Sequence, residues 1–180
     1  MEMQGLIRRA RCRLTEQGGN LMNVMTSRFG PLEISEQDSI QLTEGPVGFR
    51  NCTKFVLLAD QKVEGLYWLQ SLESPELAFA LVPPGEGLEN YHVDVRSGDR
   101  SALALEEGQE PEIFLILNRS ESGVLTVNLQ GPMIFNLSRR VGRQLVLTSS
   151  RHSVRHPLGE PATEEILLSV GSSATLRASA

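Results

Sequence analysis

GVLTVNLQGPMIFNLSRRVGRQLVL, running from Gly123 to Leu147, is the longest run of strand-type residues in the 180-residue chain. Leu125, Val127 and Leu129 alternate with Val124, Thr126, Asn128 and Gln130, and a period of two sends successive side chains to opposite faces of a sheet. Gly131-Pro132 interrupts the run. Proline has no N–H to give to a central ladder, so a bend, bulge or edge is expected there. Met133, Phe135 and Leu137 resume the alternation, and Val141-Gly142 introduces a last strand over Gln144–Leu147. Asn128, Asn136 and Gln144 recur at intervals of eight within otherwise apolar runs. A buried amide without partners costs roughly 1–3 kcal/mol. These three therefore either pin the bends around Gly131-Pro132 and Gly142 or form a polar patch for a ligand, and pinning is the favoured reading.

The same short-strand grammar extends upstream. Strands are expected at Phe29–Ile34, Ser39–Thr43, Phe55–Ala59, Leu66–Leu72, Leu77–Val82, Tyr91–Arg96 and Glu112–Leu117. Phe55–Ala59 reads as buried on both faces. Glu44-Gly-Pro-Val-Gly-Phe49 is turn chemistry, with Gly45 and Gly48 free to take positive φ. Ser74-Pro75-Glu76 joins two strands, and a short helix capped at Asp99 is expected over Ser101–Glu107. Turn signals every eight to twelve residues mark a sandwich or barrel rather than an α/β sheet. The expected fold is all-β, a compact antiparallel β-barrel-like single domain with one or two short helical turns. It spans residues 25–158. Residues 1–24 read as a disordered or mis-assigned leader, with Met22 and Met25 as alternative starts, and residues 159–180 as a flexible tail. Within that tail Glu164–Val170 could dock as a helix or as an extra strand.

Charge is distributed unevenly. Residues 29–118 hold sixteen Asp/Glu against five Lys/Arg, and residues 119–158 hold six Arg against one Glu. An acidic surface suits basic protein partners and disfavours general nucleic-acid binding, in which phosphate neutralisation supplies most of the affinity. The group Arg139, Arg140, Arg143, Arg151 and Arg155 lacks the stacking aromatics that RNA recognition uses. Cys12 and Cys52, without paired spacing, fit a reducing compartment. No apolar run approaches the roughly 20 residues of a membrane span. His152 and His156 are flanked by arginines, and Pro157 disfavours the helical spacing a metal would need. Cys52 reads as a small buried residue, and Trp68 as core first and interface anchor second. No catalytic, cofactor-binding or metal-binding set emerges.

These residues also carry a resemblance. Arg28-Phe-Gly, Glu44-Gly-Pro-Val-Gly-Phe49, Trp68-Leu-Gln-Ser-Leu72, Pro75-Glu-Leu-Ala-Phe79, Tyr91, Thr126 to Asn136, Gly142-Arg-Gln144 and Arg155-His-Pro-Leu158 occur in the order found in the flagellar assembly factor family, FliW. Gly45, Gly48, Phe49, Trp68, Asn128, Pro132, Asn136 and Gln144 are the motif positions. The family usually places an aspartate where Val82 stands before Pro83, and often a residue such as alanine near Gly131. The resemblance implies a non-enzymatic, monomeric, cytoplasmic protein without cofactors that contacts neither nucleic acid nor membrane directly. Its implied partners are flagellin and the translational regulator CsrA. Released from flagellin, such a factor binds CsrA, antagonises it allosterically and relieves repression of flagellin translation. The acidic strands point to Gln70, Ser71, Glu73 and Glu76 as partner-binding residues. The competing readings are a small-ligand-binding or enzymatic barrel using the three amides and a direct RNA binder using the arginines.

Overall fold

The structure, a computed structural model, describes residues 8–9, 21–85, 88–120, 123–148, 152–158 and 166. Its strands are β1 (Arg8–Arg9), β2 (Leu21–Thr26), β3 (Gly30–Ser35), β4 (Ser39–Leu42), β5 (Lys54–Ala59), β6 (Tyr67–Ser71), β7 (Ala78–Val82), β8 (Glu112–Arg119), β9 (Leu125–Asn136), β10 (Val141–Gln144) and β11 (His156–Pro157). A 3-10 turn covers Glu36–Asp38, and one helix, α1, covers Ser97–Ala102.

Seven strands close on themselves in the order β5-β4-β10-β9-β8-β7-β6, with β6 returning to β5. Six of the seven seams are antiparallel and one, β4 against β10, is parallel. A ring with an odd number of strands cannot alternate direction all the way round, so one parallel seam is the minimum. Closure removes the unpaired edges that an open sheet would present.

The expected alternation sorts side chains into two main cores. Ile40, Leu42, Phe55, Leu57, Leu69, Phe79, Leu81, Phe114, Met133 and Phe135 fill one cluster. Val56, Leu58, Trp68, Ala80, Val82, Leu115, Leu117, Leu125, Val127 and Leu129 form another. Successive residues of β5 alternate between the two, so that strand is buried on both faces as its composition foretold. The second cluster is covered by the β2–β3 hairpin, a separate two-stranded sheet that contributes Ile34. A third, small cluster of Leu103, Ile134 and Leu145 lies near α1. Removing a large apolar side chain of these sets from water contributes roughly 1.5–3 kcal/mol.

β9 passes from one core to the other. Its first half alternates, with Leu125, Val127 and Leu129 buried, while every residue from Gly131 to Asn136 is buried. The crossing point is the expected break. β8 pairs Phe114 with Met133 and Ile116 with Asn128, so Leu115 faces a bulge around Gly131-Pro132.

Four local expectations need correction. Tyr91–Arg96 forms no strand. Tyr91, Val93 and Val95 do turn towards the cores, but the stretches of edge left beside the ring, on β5 and on the first half of β9, are taken by β1 and β11. The helix lies at Ser97–Ala102 rather than Ser101–Glu107, with Arg96 at its N-cap. Asp99 is spent on Arg143, 2.9 Å away, and Ala104 leaves the helical region at φ 49°. The last strand is Val141–Gln144, although Leu145 and Leu147 still donate to the Pro132 and Gln130 carbonyls. Finally, β2 starts at Leu21 inside the stretch assigned to the leader, and Arg8–Arg9 pairs in parallel with β5. The remainder of the 1–24 leader lies outside the described residues. So does the 159–180 tail except Ile166, which is buried in the second core.

Candidate interaction surface

The three amides of the opening stretch are occupied by the fold. Asn128 Oδ1 accepts from the N–H groups of Gln130 (2.9 Å) and Gly131 (3.0 Å), closing the β9 bend on itself. Asn136 Nδ2 donates to the carbonyls of Leu103 (2.9 Å) and Ala104 (3.1 Å) just beyond α1. Its Oδ1 accepts from Ser138 Oγ at 2.7 Å. Gln144 Nε2 donates to the Gly131 carbonyl (3.1 Å), and its Oε1 accepts from the N–H of Val47 (2.8 Å), 97 positions away. Every one of these bonds pins a turn. The space where a Cβ at Gly131 would sit is taken by the Asn128 and Gln144 amides.

Gln144 thereby fixes the Glu44–Phe49 loop, and other contacts fix it further. Phe49 N–H donates to the Pro46 carbonyl (2.7 Å), with Gly48 at φ 87° in the third position, where a type II turn needs positive φ. Gly45 is not in the left-handed region. It is required for a different reason, because a Cβ there would run into the Phe49 and Cys52 carbonyls. Phe49 stacks edge-on against Phe79, 5.7 Å between centroids. On the far side, Glu73 accepts from the N–H groups of Thr53 (2.6 Å) and Lys54 (2.8 Å). Those two bonds hold its carboxyl below the usual carboxylate range. A loop tied at both ends displays Val47 at 48% exposure, with Glu44 and Gly48 also facing solvent.

The four residues expected to bind a partner separate into two kinds. Gln70 and Ser71 are 0% exposed. Gln70 Nε2 donates to the carbonyls of Ser71 and Leu77, and Ser71 Oγ accepts from the N–H groups of Glu73 and Ser74. Both end β6, brace the β6–β7 turn and offer no surface. Glu73 and Glu76 are exposed, although Glu73 is committed to β5 as well. The outward display of Val47 was not legible in the sequence, because the side chain that bonds its backbone N–H, Gln144, lies 97 positions away.

Trp68 is 2% exposed, its indole N–H donating to Asp60 (3.0 Å), so it is core rather than an interface anchor. Arg143 pairs with Asp99, Arg139 with Glu106 at 3.2 Å and Arg140 with Asp38 at 3.9 Å. Cys52 Sγ lies 3.6 Å from Ser74 Oγ, and His152 packs against Tyr91. Among the described residues no three His, Cys, Asp or Glu side chains gather as metal ligands, and no helix is long and apolar enough to cross a membrane.

Fold and surface together define a class: a closed β-barrel whose polar amides are spent on its turns and whose end loop is held rigid in solvent. Comparison with known proteins narrows this. The profile of the family described as FliW protein matches residues 23–158. A flagellar assembly factor FliW from Geobacter sulfurreducens is 37% identical over 142 residues, covering 78% of this chain and 89% of the relative. One from Bdellovibrio bacteriovorus is 36% identical over 138 residues, covering 76% and 79% respectively. A crystal structure of the flagellar assembly factor FliW superposes with a TM-score of 0.70 at 28% identity, covering 78% of this chain and 99% of the other. The chain belongs to the FliW family of flagellar assembly factors.

Proposed function

We propose that this protein is a non-enzymatic, cytoplasmic, monomeric assembly factor that binds flagellin and, when released from it, binds and allosterically antagonises a CsrA-type translational regulator, relieving repression of flagellin translation. The observation that carries this reading is the rigid end loop. Val47 is held outward between Gln144 on one side and the Glu73-anchored strand on the other, with Glu44 and its ion-pair partner Arg50 exposed on the same loop. A pre-ordered surface loses little freedom on binding, and the exposed carboxylates of Glu73 and Glu76 favour a basic partner. The small-ligand reading loses its polar set, since Asn128, Asn136 and Gln144 are bonded to neighbouring backbone. The RNA reading loses charge, since Arg139, Arg140 and Arg143 meet acidic side chains.

Calorimetric titration of the full chain with CsrA tests the surface. Val47→Asp and Glu76→Lys should each weaken binding about tenfold, as truncation of an interface contact commonly does. Unchanged affinity for both variants at low salt removes this face from the interface. Free flagellin added to the preformed complex should displace CsrA, and co-existence of all three on one particle would refute the competitive switch.

A further inference from the structure

We propose that the β2–β3 hairpin is a lid that detaches from the barrel as a unit, baring the outer face of β5–β7 while the barrel stays closed. Every barrel strand is hydrogen-bonded on both sides, whereas the hairpin is a sheet of its own. The hairpin's backbone meets the barrel through Ser27 N–H, which donates to the Pro75 carbonyl at 3.0 Å. Lifting it therefore breaks no ladder of the barrel.

Side chains hold it down instead. Ile34 is buried, and Val24, Phe29 and Leu32 pack half-buried on the cluster that contains Val56, Leu58, Trp68 and Ala80. The latch is Arg28, at the turn between β2 and β3. Its guanidinium sits 3.4 Å from the centre of the Trp68 ring, and Phe29 meets the same ring edge-on at 6.1 Å. Asp60 receives the Trp68 indole N–H and bonds the N–H groups of Lys62 and Val63, which fixes the acceptor side of the latch.

Two further observations set the hairpin apart. Its outer face is solvated, with Leu21 at 50% and Met25 at 65% exposure. The face it covers contains a polar fault. Gln70 lies two residues from Trp68 and therefore on the same side of β6, and its buried Oε1 has no hydrogen-bond partner. Water reaching that oxygen on opening offsets part of the cost of exposing the apolar seat. A two-stranded hairpin freed from its support is marginal in water, so its own ladder melts when it lifts.

Hydrogen exchange of the full chain, read by mass spectrometry at several sub-denaturing urea concentrations, tests the lid. Amides of β2 and β3 should exchange roughly tenfold or more faster than those of β5 and β6, with a weaker urea dependence, as local opening requires. Arg28→Ala should accelerate the hairpin further, leave β5 and β6 unchanged, and increase acrylamide quenching of Trp68, the sole tryptophan. The wild-type protein decides the matter without a variant. Equal rates and equal urea dependence in hairpin and barrel overturn the lid, and so does an Arg28→Ala protein in which both accelerate together.

Discussion

Asn136 shows how much one side chain can do in this fold. Buried at 2% exposure, it holds two carbonyls past the end of α1 and receives the Ser138 hydroxyl. Asn136→Ala strands those carbonyls in a dry environment. The variant should lose roughly 2 kcal/mol in urea unfolding, lowering the melting temperature by about 4–8 °C for a protein of this size; an unshifted midpoint would contradict the assignment. Tyr91 is the second case. Its hydroxyl donates to the Leu129 carbonyl at 2.8 Å beside the β9 bulge, and burial pushes its pKa from 10 to about 12. The folded state therefore keeps a proton that the unfolded chain releases above pH 10. Stability from this group is complete below pH 10 and drains away as pH rises towards 12. Stability measured between pH 9 and 12 should fall less steeply in Tyr91→Phe than in the wild type, and identical slopes would show that Tyr91 does not titrate in this way.

The loop between β4 and β5 is the element on which residue chemistry turns into a surface. Its Gly-Pro-Val-Gly sequence specified a turn, and Pro46 and Gly48 provide one. Why Gly45 must be glycine was hidden, because the atoms that exclude a Cβ belong to Phe49 and Cys52 as folded. Gly45→Ala should cost more than about 2 kcal/mol, placing it among the severe backbone substitutions, and it should free the Thr53 and Lys54 amides to exchange. A melting curve superimposable on the wild type would show that the loop has slack. The β2–β3 hairpin is the opposite kind of element: its second strand was expected at Phe29–Ile34, whereas its first, in which Met22 and Val24 alternate with Asn23 and Met25, was hidden because residues 1–24 read as a leader.

At the scale of the molecule, charge and topology answer different questions. The acidic bias of residues 29–118 is a property of composition, and it should appear kinetically. The association rate with a basic regulator should fall as salt rises from 50 to 300 mM while dissociation changes little, because screening acts on encounter before it acts on contact. A salt-independent association rate would separate the acidic surface from recognition.

Period-two patterning and the glycine and proline positions were enough to identify short strands, an all-β class, a doubly buried β5 and a break at Gly131-Pro132, because each depends on residues near in the chain. The ring order with its one parallel seam, the transfer of β9 between two cores, the burial of Gln70 and Ser71, and the clamping of Val47 by Gln144 were settled by closure. Each depends on which distant strand arrives beside which, and a local pattern of apolar and polar residues is the same whether its neighbour is a core, another strand or water.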